Sequence, residues 1–123
     1  MKVILSIKPE FVEKIITGEK QYEYRKRIFK QEVDSVIIYA TKPVGMLIGE
    51  FKVEKVLYDA VEQIWEKTNR FSGISYNYFK HYFSNKDMAY ALKIKDLIVY
   101  RNPLCPKKII PDFKAPQSFC YLK

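Results

Sequence analysis

The sequence predicts an α+β fold in which a small mixed sheet curves into a β-barrel, with short peripheral helices at its openings. Its 123 residues fit one domain, so residues 1–123 are expected to share a single core. Strand-like and helix-like segments are interleaved along the chain, which indicates strands and helices packed around one sheet. Two strand segments, residues 35–41 and 45–57, are joined by only a few residues, a connection typical of antiparallel strands.

The first quarter of the chain predicts a strand, a helix and a second strand. Residues 2–7 are an apolar, β-branched run typical of a strand. Pro9 stands where a helix would begin and Gly18 just past its end. Between them lie four apolar residues at helical spacing: Phe11, Val12, Ile15 and Ile16. Residues 20–26 then alternate, which predicts a strand that buries its tyrosines on one side.

The middle of the chain predicts a loop, two more strands and a helix. The charged residues 26–34 indicate a loop before the central strand at 35–41. Pro43 marks a turn before the long strand at 45–57. Residues 59–68 predict a helix whose apolar face is formed by Ala60, Val61, Ile64 and Trp65.

The last part of the chain predicts a short helix, a strand and an irregular tail. A break at Ser72-Gly73 precedes Ser75, a residue type that caps helix N-termini. The apolar side of that helix comprises Tyr76, Phe79 and Phe83. Residues 87–101 predict one long strand or a bent pair of strands. The tail from Asn102 contains four prolines, so it is expected to wrap the surface largely without regular structure.

The charge balance favours a polyanionic partner. Lys and Arg number 22 against 14 Asp and Glu, which gives a net charge of +8. A basic protein attracts nucleic acid ahead of membrane surfaces. A basic protein with no such partner is the alternative.

Targeting, membrane and metal signals are missing from the sequence. The apolar start is interrupted at Lys8-Pro9, so no signal-peptide core forms, and no apolar run approaches the ~18 residues of a membrane span. Cys105 and Cys120 match no zinc pattern, and His81 is the single histidine. The chain is therefore expected to be a cytoplasmic protein with reduced thiols, no metal site and no cofactor.

The densest group of polar residues in the sequence is the octet at residues 18–25. Glu23 and Arg25 are two residues apart, so they leave the same face of a strand. Lys20 has the opposite parity, and joins them only if the chain turns just after Gly18. The three together could hold an anion or a nucleobase edge. The alternative is a solvated strand face with a Glu–Arg pair that contributes well under ~1 kcal/mol.

The octet resembles the signature of the ASCH domain of the PUA-like superfamily. The matching pattern is G-x-K-x-x-E-x-R, present as Gly18, Lys20, Glu23 and Arg25. The opening VILSIKPEFVEKIITG, the segments SGISYNYFKHYF and MAYALKI, and the ending from Pro116 to Leu122 are also similar to the family. The resemblance therefore covers nearly the whole chain.

The resemblance implies a PUA-type barrel with a cleft that carries Lys20, Glu23 and Arg25. The family is generally proposed to bind RNA, with roles in RNA metabolism or translation. Some bacterial members are amidohydrolases that deacetylate N4-acetylcytidine, with a Lys and a Thr of the motif and a Glu from elsewhere in the chain as catalytic residues. Lys20 matches that Lys, but Glu23 stands where the branch has its Thr. As a hydrolase, the protein would use Glu23 to activate water, with Lys20 or Arg25 stabilising the oxyanion. Because a carboxylate replaces the nucleophilic hydroxyl, the sequence favours binding over catalysis.

Further residues are candidates for the same ligand. Three basic residues just after the motif would contact phosphates, unless they form only a solvated loop: Lys26, Arg27 and Lys30. Tyr78 and Tyr82 could stack on bases or close the edge of a core. Tyr39 and Thr41 share a face of a predicted strand, and could line the cleft or fill the barrel.

The function predicted from these residues is binding of RNA or a nucleotide-like ligand in the cleft. In that function the basic side chains hold phosphate, Glu23 accepts hydrogen bonds or orients Arg25, and aromatic rings stack on bases. A small amidohydrolase acting on acylated nucleosides is the rival. A protein-interaction adaptor with a purely structural cleft is a third alternative.

Overall fold

A computed structural model describes residues 1–122, which form one mixed sheet with short helices around it. The chain order is strand, helix, three strands, two helices, strand, short helix, strand. The elements are β1 (Lys2–Ile7), α1 (Pro9–Thr17), β2 (Tyr22–Arg25), β3 (Ser35–Ala40), β4 (Met46–Ala60), α2 (Val61–Thr68), α3 (Tyr76–Tyr82), β5 (Met88–Leu104), α4 (Pro106–Ile109) and β6 (Phe119–Leu122), with a 3₁₀ turn at Asn69–Phe71 after α2.

The six strands are ordered β2-β5-β4-β3-β1-β6. Only β1 and β3 pair in parallel, and every other neighbouring pair is antiparallel. The predicted α+β fold with a mixed sheet and short helices is confirmed.

The sheet is open, so the predicted barrel is wrong. Its edges are β2 and β6, which have four residues each and do not pair with one another. The loop that follows β2 contacts the side chains of β6. The backbone N–H groups of Lys30 and Gln31 donate to the hydroxyl of Tyr121. Phe29 and Phe119 pack edge-to-face with ring centroids 5.8 Å apart. Side-chain contacts therefore occupy the place where a barrel would have a strand ladder.

Both faces of β1 and β3 are buried, which explains their continuous apolar sequences. The cluster on one face contains Val3, Leu5, Val36, Ile38 and Phe51, and α1 covers it with Val12 and Ile15. The cluster on the other face contains Ile4, Ile37, Tyr39 and Leu47, and the segment after β5 covers it with Ile110 and Phe113. The residues of β3 that face this second cluster are covered by that segment, so they do not reach the cleft.

Helices α2 and α3 cover the third cluster, next to β2. It contains Tyr24, Ile64, Phe79, Phe83, Ala89 and Ala91. The predicted cap of α3 is confirmed, because Ser75 Oγ accepts a hydrogen bond from the N–H of Tyr78 at 3.1 Å. None of the helices within residues 1–122 is long and apolar enough to cross a membrane.

The C-terminal part is more regular than predicted. Strand β5 continues to Leu104 as one 17-residue strand rather than a bent pair. The tail contains α4 and β6, and β6 pairs antiparallel with β1. The prediction of an irregular tail is wrong for these elements, because a four-residue strand among prolines carries too little pattern to be recognised.

Candidate functional site

A cleft of about 330 Å³ opens where β1, β2, α1 and α3 meet the tail that precedes β6. Its lining combines charged side chains with aromatic rings. The charged residues are Lys8, Lys20, Glu23 and Arg25; the aromatic residues are Phe11, Tyr24, Tyr78 and Tyr82; the others are Ser6, Ile7, Thr41, Ile74, Pro116 and Gln117.

A tight turn after α1 brings Lys20 to the cleft. Gly18 has φ 85°, a left-handed conformation that glycine adopts without strain. Its N–H donates to the carbonyl oxygen of Ile15 at 3.2 Å, and the N–H of Lys20 donates to that of Lys14 at 3.0 Å. Lys20 then forms an isolated antiparallel bridge with Ser72. The turn predicted from Gly18 is present, so Lys20 joins the two charged residues of β2.

Lys20, Glu23 and Arg25 form a buried cluster of three charges. Lys20 Nζ lies 3.9 Å from Glu23 Oε1, and Arg25 Nη1 donates to Glu23 Oε2 at 3.2 Å. The residues are 2%, 6% and 8% exposed. Arg25 Nη2 also donates to Ser118 Oγ, while Arg25 Nε has no hydrogen-bond partner within residues 1–122. The cluster carries one net positive charge when all three groups are ionised.

Burial changes the acid–base behaviour of the Lys20 side chain. Its ammonium donates to the carbonyl oxygen of Ser72 at 2.9 Å, and lies 4.7 Å from the ring centroid of Tyr24. Desolvation lowers the pKa of Lys20 to about 8, although Glu23 opposes that shift. Lys20 is therefore mainly protonated at neutral pH and can exchange its proton at mildly basic pH.

The backbone at Gly73 leaves room for the aliphatic stem of Lys20. Gly73 has φ 68°, and a Cβ placed there would lie 2.5 Å from the Cβ of Lys20. Any larger residue would collide with this stem and would also strain the backbone. The break predicted at Ser72-Gly73 is thus a packing requirement of the site.

Aromatic rings form a wall of the cleft. Tyr78 packs edge-to-face on Phe11 with centroids 5.1 Å apart, and Lys8 Nζ lies 5.3 Å from the Tyr78 centroid. Tyr82 packs on Phe83 at 4.8 Å, so its ring also closes the edge of the core under α3. Burial raises the pKa of Tyr82, so its hydroxyl stays protonated at neutral pH. Both tyrosines are half-buried and line the cleft.

Of the predicted ligand-binding residues, the structure brings six to the cleft and leaves Tyr39 outside. The six are Lys20, Glu23, Arg25, Thr41, Tyr78 and Tyr82. Tyr39 is 4% exposed and packs against Phe113 with centroids 5.2 Å apart, on the opposite face of the sheet. The prediction that Tyr39 and Thr41 share the cleft is therefore wrong for Tyr39. Strand β3 ends at Ala40, and the turn that follows takes Thr41 to the cleft.

The three basic residues after the motif line a second, neighbouring groove. This groove has a volume of about 570 Å³, and its lining comprises Lys26, Arg27, Ile28, Lys30, Tyr90, Phe119 and Tyr121. We call it the basic groove. Lys26 Nζ lies 4.6 Å from the ring centroid of Tyr82, which belongs to the cleft wall. Lys26 therefore lies between the two cavities.

Sequence reasoning missed Lys8, Phe11 and Ser118. Lys8 and Phe11 flank the start of α1, and no local pattern places them beside residues of α3. Ser118 is 93 residues from Arg25 and lies in the proline-rich tail. The pairing of β6 with β1 and the hydrogen bonds that Ser6 donates to the carbonyl oxygens of Pro116 and Ser118 bring that tail to the cleft. Within residues 1–122, no group of three or more His, Cys, Asp or Glu side chains is positioned to hold a metal ion.

Curated proteins with similar sequences are known. A protein from Zymomonas mobilis subsp. mobilis named ASCH domain-containing ribonuclease is 30% identical over 129 residues, covering 99% of this chain and 84% of its own length. Large ribosomal subunit protein uL22 of Ureaplasma parvum is 35% identical over 108 residues. That match covers 85% of this chain but only 33% of uL22.

Solved structures show the same fold. The crystal structure of ASCH from Zymomonas mobilis has a TM-score of 0.91 at 30% identity, covering 99% of this chain and 87% of that one. The N-terminal domain of Staphylothermus marinus McrB has a TM-score of 0.54 at 14% identity, a likeness of fold alone. The sequence profile of the ASCH domain matches residues 5–98. The chain therefore belongs to the ASCH domain family.

Proposed function

We propose that this protein binds single-stranded RNA in the cleft and cleaves its phosphodiester backbone. The observation that carries the proposal is the buried cluster of Lys20, Glu23 and Arg25 on the floor of an aromatic-walled cleft. The similarity to a protein named as a ribonuclease supplies the reaction class. The match to part of a ribosomal protein also supports an RNA-related role.

The cleft suits one nucleotide of an unpaired strand. Its volume of about 330 Å³ lies at the lower end of the range for small-molecule sites, ~300–1,000 Å³. Arg25 and Lys20 can hold phosphate oxygens by charge-assisted hydrogen bonds. Tyr78 and Tyr82 offer ring surfaces for a base, as readers of single-stranded RNA do. These contacts need an unstacked base, which a duplex does not present.

The same groups can assist cleavage. In cleavage by transesterification the 2′-oxygen forms a bond to phosphorus, and the bond from phosphorus to the 5′-oxygen breaks. The 2′-hydroxyl loses a proton, which Glu23, the carboxylate in the cleft lining, can accept. Protonated Lys20 can give its proton to the departing 5′-oxygen, and Arg25 stabilises charge on the phosphoryl oxygens.

The pH dependence of cleavage tests the role of Lys20. We expect the rate to fall as the pH rises through about 8, because the protonated form of Lys20 is lost there. The measurement is the single-turnover rate on a short RNA between pH 6.5 and 9.5. The Lys20→Met variant should keep its small residual rate without this fall. A wild-type rate that stays level through this range would contradict the assignment of Lys20 as the acid.

A comparison of substrates tests the reaction class. The protein is incubated separately with a single-stranded RNA, the same strand with 2′-O-methyl groups, and N4-acetylcytidine. We expect cleavage of the RNA alone, because the 2′-O-methyl strand has no attacking hydroxyl. Release of acetate from N4-acetylcytidine with intact RNA would instead establish the amidohydrolase alternative. Intact RNA with no acetate release would overturn the proposed cleavage.

A further inference from the structure

The basic groove is lined in part by Tyr90, which packs on the exposed Tyr58 of the neighbouring strand. Tyr90 of β5 is paired with Arg25 of β2 on one side and with Tyr58 of β4 on the other. Directly paired residues of neighbouring strands place their side chains on the same face. Arg25, Tyr90 and Tyr58 therefore form a row across three strands. At about 4.8 Å per strand, the row extends roughly 10 Å outward from the cleft.

The rings of the two tyrosines stack on one another, and we call this pair the platform. Their ring centroids are 4.5 Å apart with planes inclined by 30°, and Tyr58 is 54% exposed. Tyr90 is half-buried beneath it, so the ring face of Tyr58 that is turned away from Tyr90 is the surface open to a ligand. A planar nucleobase is a ligand that such a platform can stack on.

The charges around the platform are free to meet an anion. Lys26, Arg27 and Lys30 are exposed, and none of them forms a salt bridge within residues 1–122. No carboxylate belongs to the described lining of the basic groove. Cations beside aromatic rings match a single-stranded polynucleotide, in which phosphates alternate with bases. Lys26 connects this groove to the cleft through its contact with Tyr82.

We infer that the basic groove and the Tyr58–Tyr90 platform form a second nucleotide subsite, which binds the RNA strand where it leaves the cleft. The inference rests on the proposed function, since it extends the same strand beyond the cluster of Lys20, Glu23 and Arg25. Lys26, Arg27 and Lys30 hold phosphates of the leaving strand, and Tyr58 and Tyr90 stack on its bases. The protein then binds several nucleotides rather than one.

The test compares a short and a long oligonucleotide. The probes are fluorescent 2′-O-methyl oligouridylates of two and eight nucleotides, and the measurement is their dissociation constant by anisotropy. The variants are Tyr58→Ala and Tyr58→Phe, because Tyr58 is exposed and its substitution should leave the fold intact. The phenylalanine variant keeps the stacking surface and serves as the matched control.

The wild type should bind the eight-mer more tightly than the two-mer. Tyr58→Ala should weaken eight-mer binding about tenfold, the loss expected for one stacked base, and leave the two-mer unchanged. Tyr58→Phe should behave as the wild type. Equal affinities for the two lengths, or an eight-mer unaffected by Tyr58→Ala, would overturn the second subsite while leaving the cleft proposal intact. Failure of the wild type to bind either length would overturn the proposed function and this inference together.

Discussion

Replacement of Glu23 by alanine is expected to lower the free energy of unfolding by about 3–5 kcal/mol. Lys20 Nζ and Arg25 Nη1 both face this carboxylate, and all three side chains are at most 10% exposed. Without Glu23 two buried cations lose their counter-charge and repel one another. Lys20 can release its proton to relieve this repulsion, whereas Arg25 remains charged. Urea unfolding followed by the fluorescence of Trp65, the single tryptophan, measures the effect.

The matched control is Glu54→Ala. Glu54 also pairs with a lysine, Lys93, at 3.0 Å, but its side chain is 43% exposed and water replaces the lost partner. Little change in stability is expected there. The double variant Glu23→Ala/Lys20→Met should recover part of the loss, because it removes one of the uncompensated charges. Equal stability losses in Glu23→Ala and Glu54→Ala would contradict the buried cluster.

Replacement of Lys20 by methionine is expected to slow RNA cleavage about 10²- to 10³-fold, within the range that a general acid contributes. Methionine has a similar length and no charge, so it fills the space beside Gly73 without a proton to donate. The measurement is the single-turnover rate at pH 7, where Lys20 is mainly protonated.

Lys67→Met controls for the loss of one positive charge. Lys67 is exposed on α2 and pairs with Asp59. We expect its rate to equal that of the wild type. Thermal melts of both variants identify a loss of folding. A folded Lys20→Met protein that cleaves at the wild-type rate would remove Lys20 from the mechanism.

Local features of the fold could be predicted because they depend on neighbouring residues. Pro9 and Gly18 mark the ends of α1, and Ser75 caps α3, as their residue types predict. The continuous apolar sequences of β1 and β3 predicted strands correctly. They could not reveal which side chains face the cleft, because both faces of these strands are buried. Tyr39 was misplaced for this reason.

Features that depend on distant residues could not be predicted. The site around Lys20 followed from the turn at Gly18, which is local. The contact of Arg25 with Ser118 depends on β6 pairing with β1, more than 110 residues away in sequence. The same long-range pairing leaves the sheet open, because β6 adds to β1 as an edge strand instead of closing against β2. A sequence that predicts a small curved sheet does not show whether the two edge strands pair with one another to close it into a barrel.

The salt dependence of RNA binding by the wild type and by Arg25→Ala tests whether the cleft holds the RNA phosphates. Anisotropy titrations with the eight-nucleotide 2′-O-methyl oligouridylate give the dissociation constant at several salt concentrations. We expect Arg25→Ala to bind RNA at least tenfold more weakly than the wild type, since charge-assisted hydrogen bonds contribute about 1.5–3 kcal/mol. Its log–log salt slope should also be shallower by about 0.7, the value of one phosphate contact on a single strand. An unchanged affinity and slope would show that RNA binds outside the cleft, and would overturn the proposed role of Arg25.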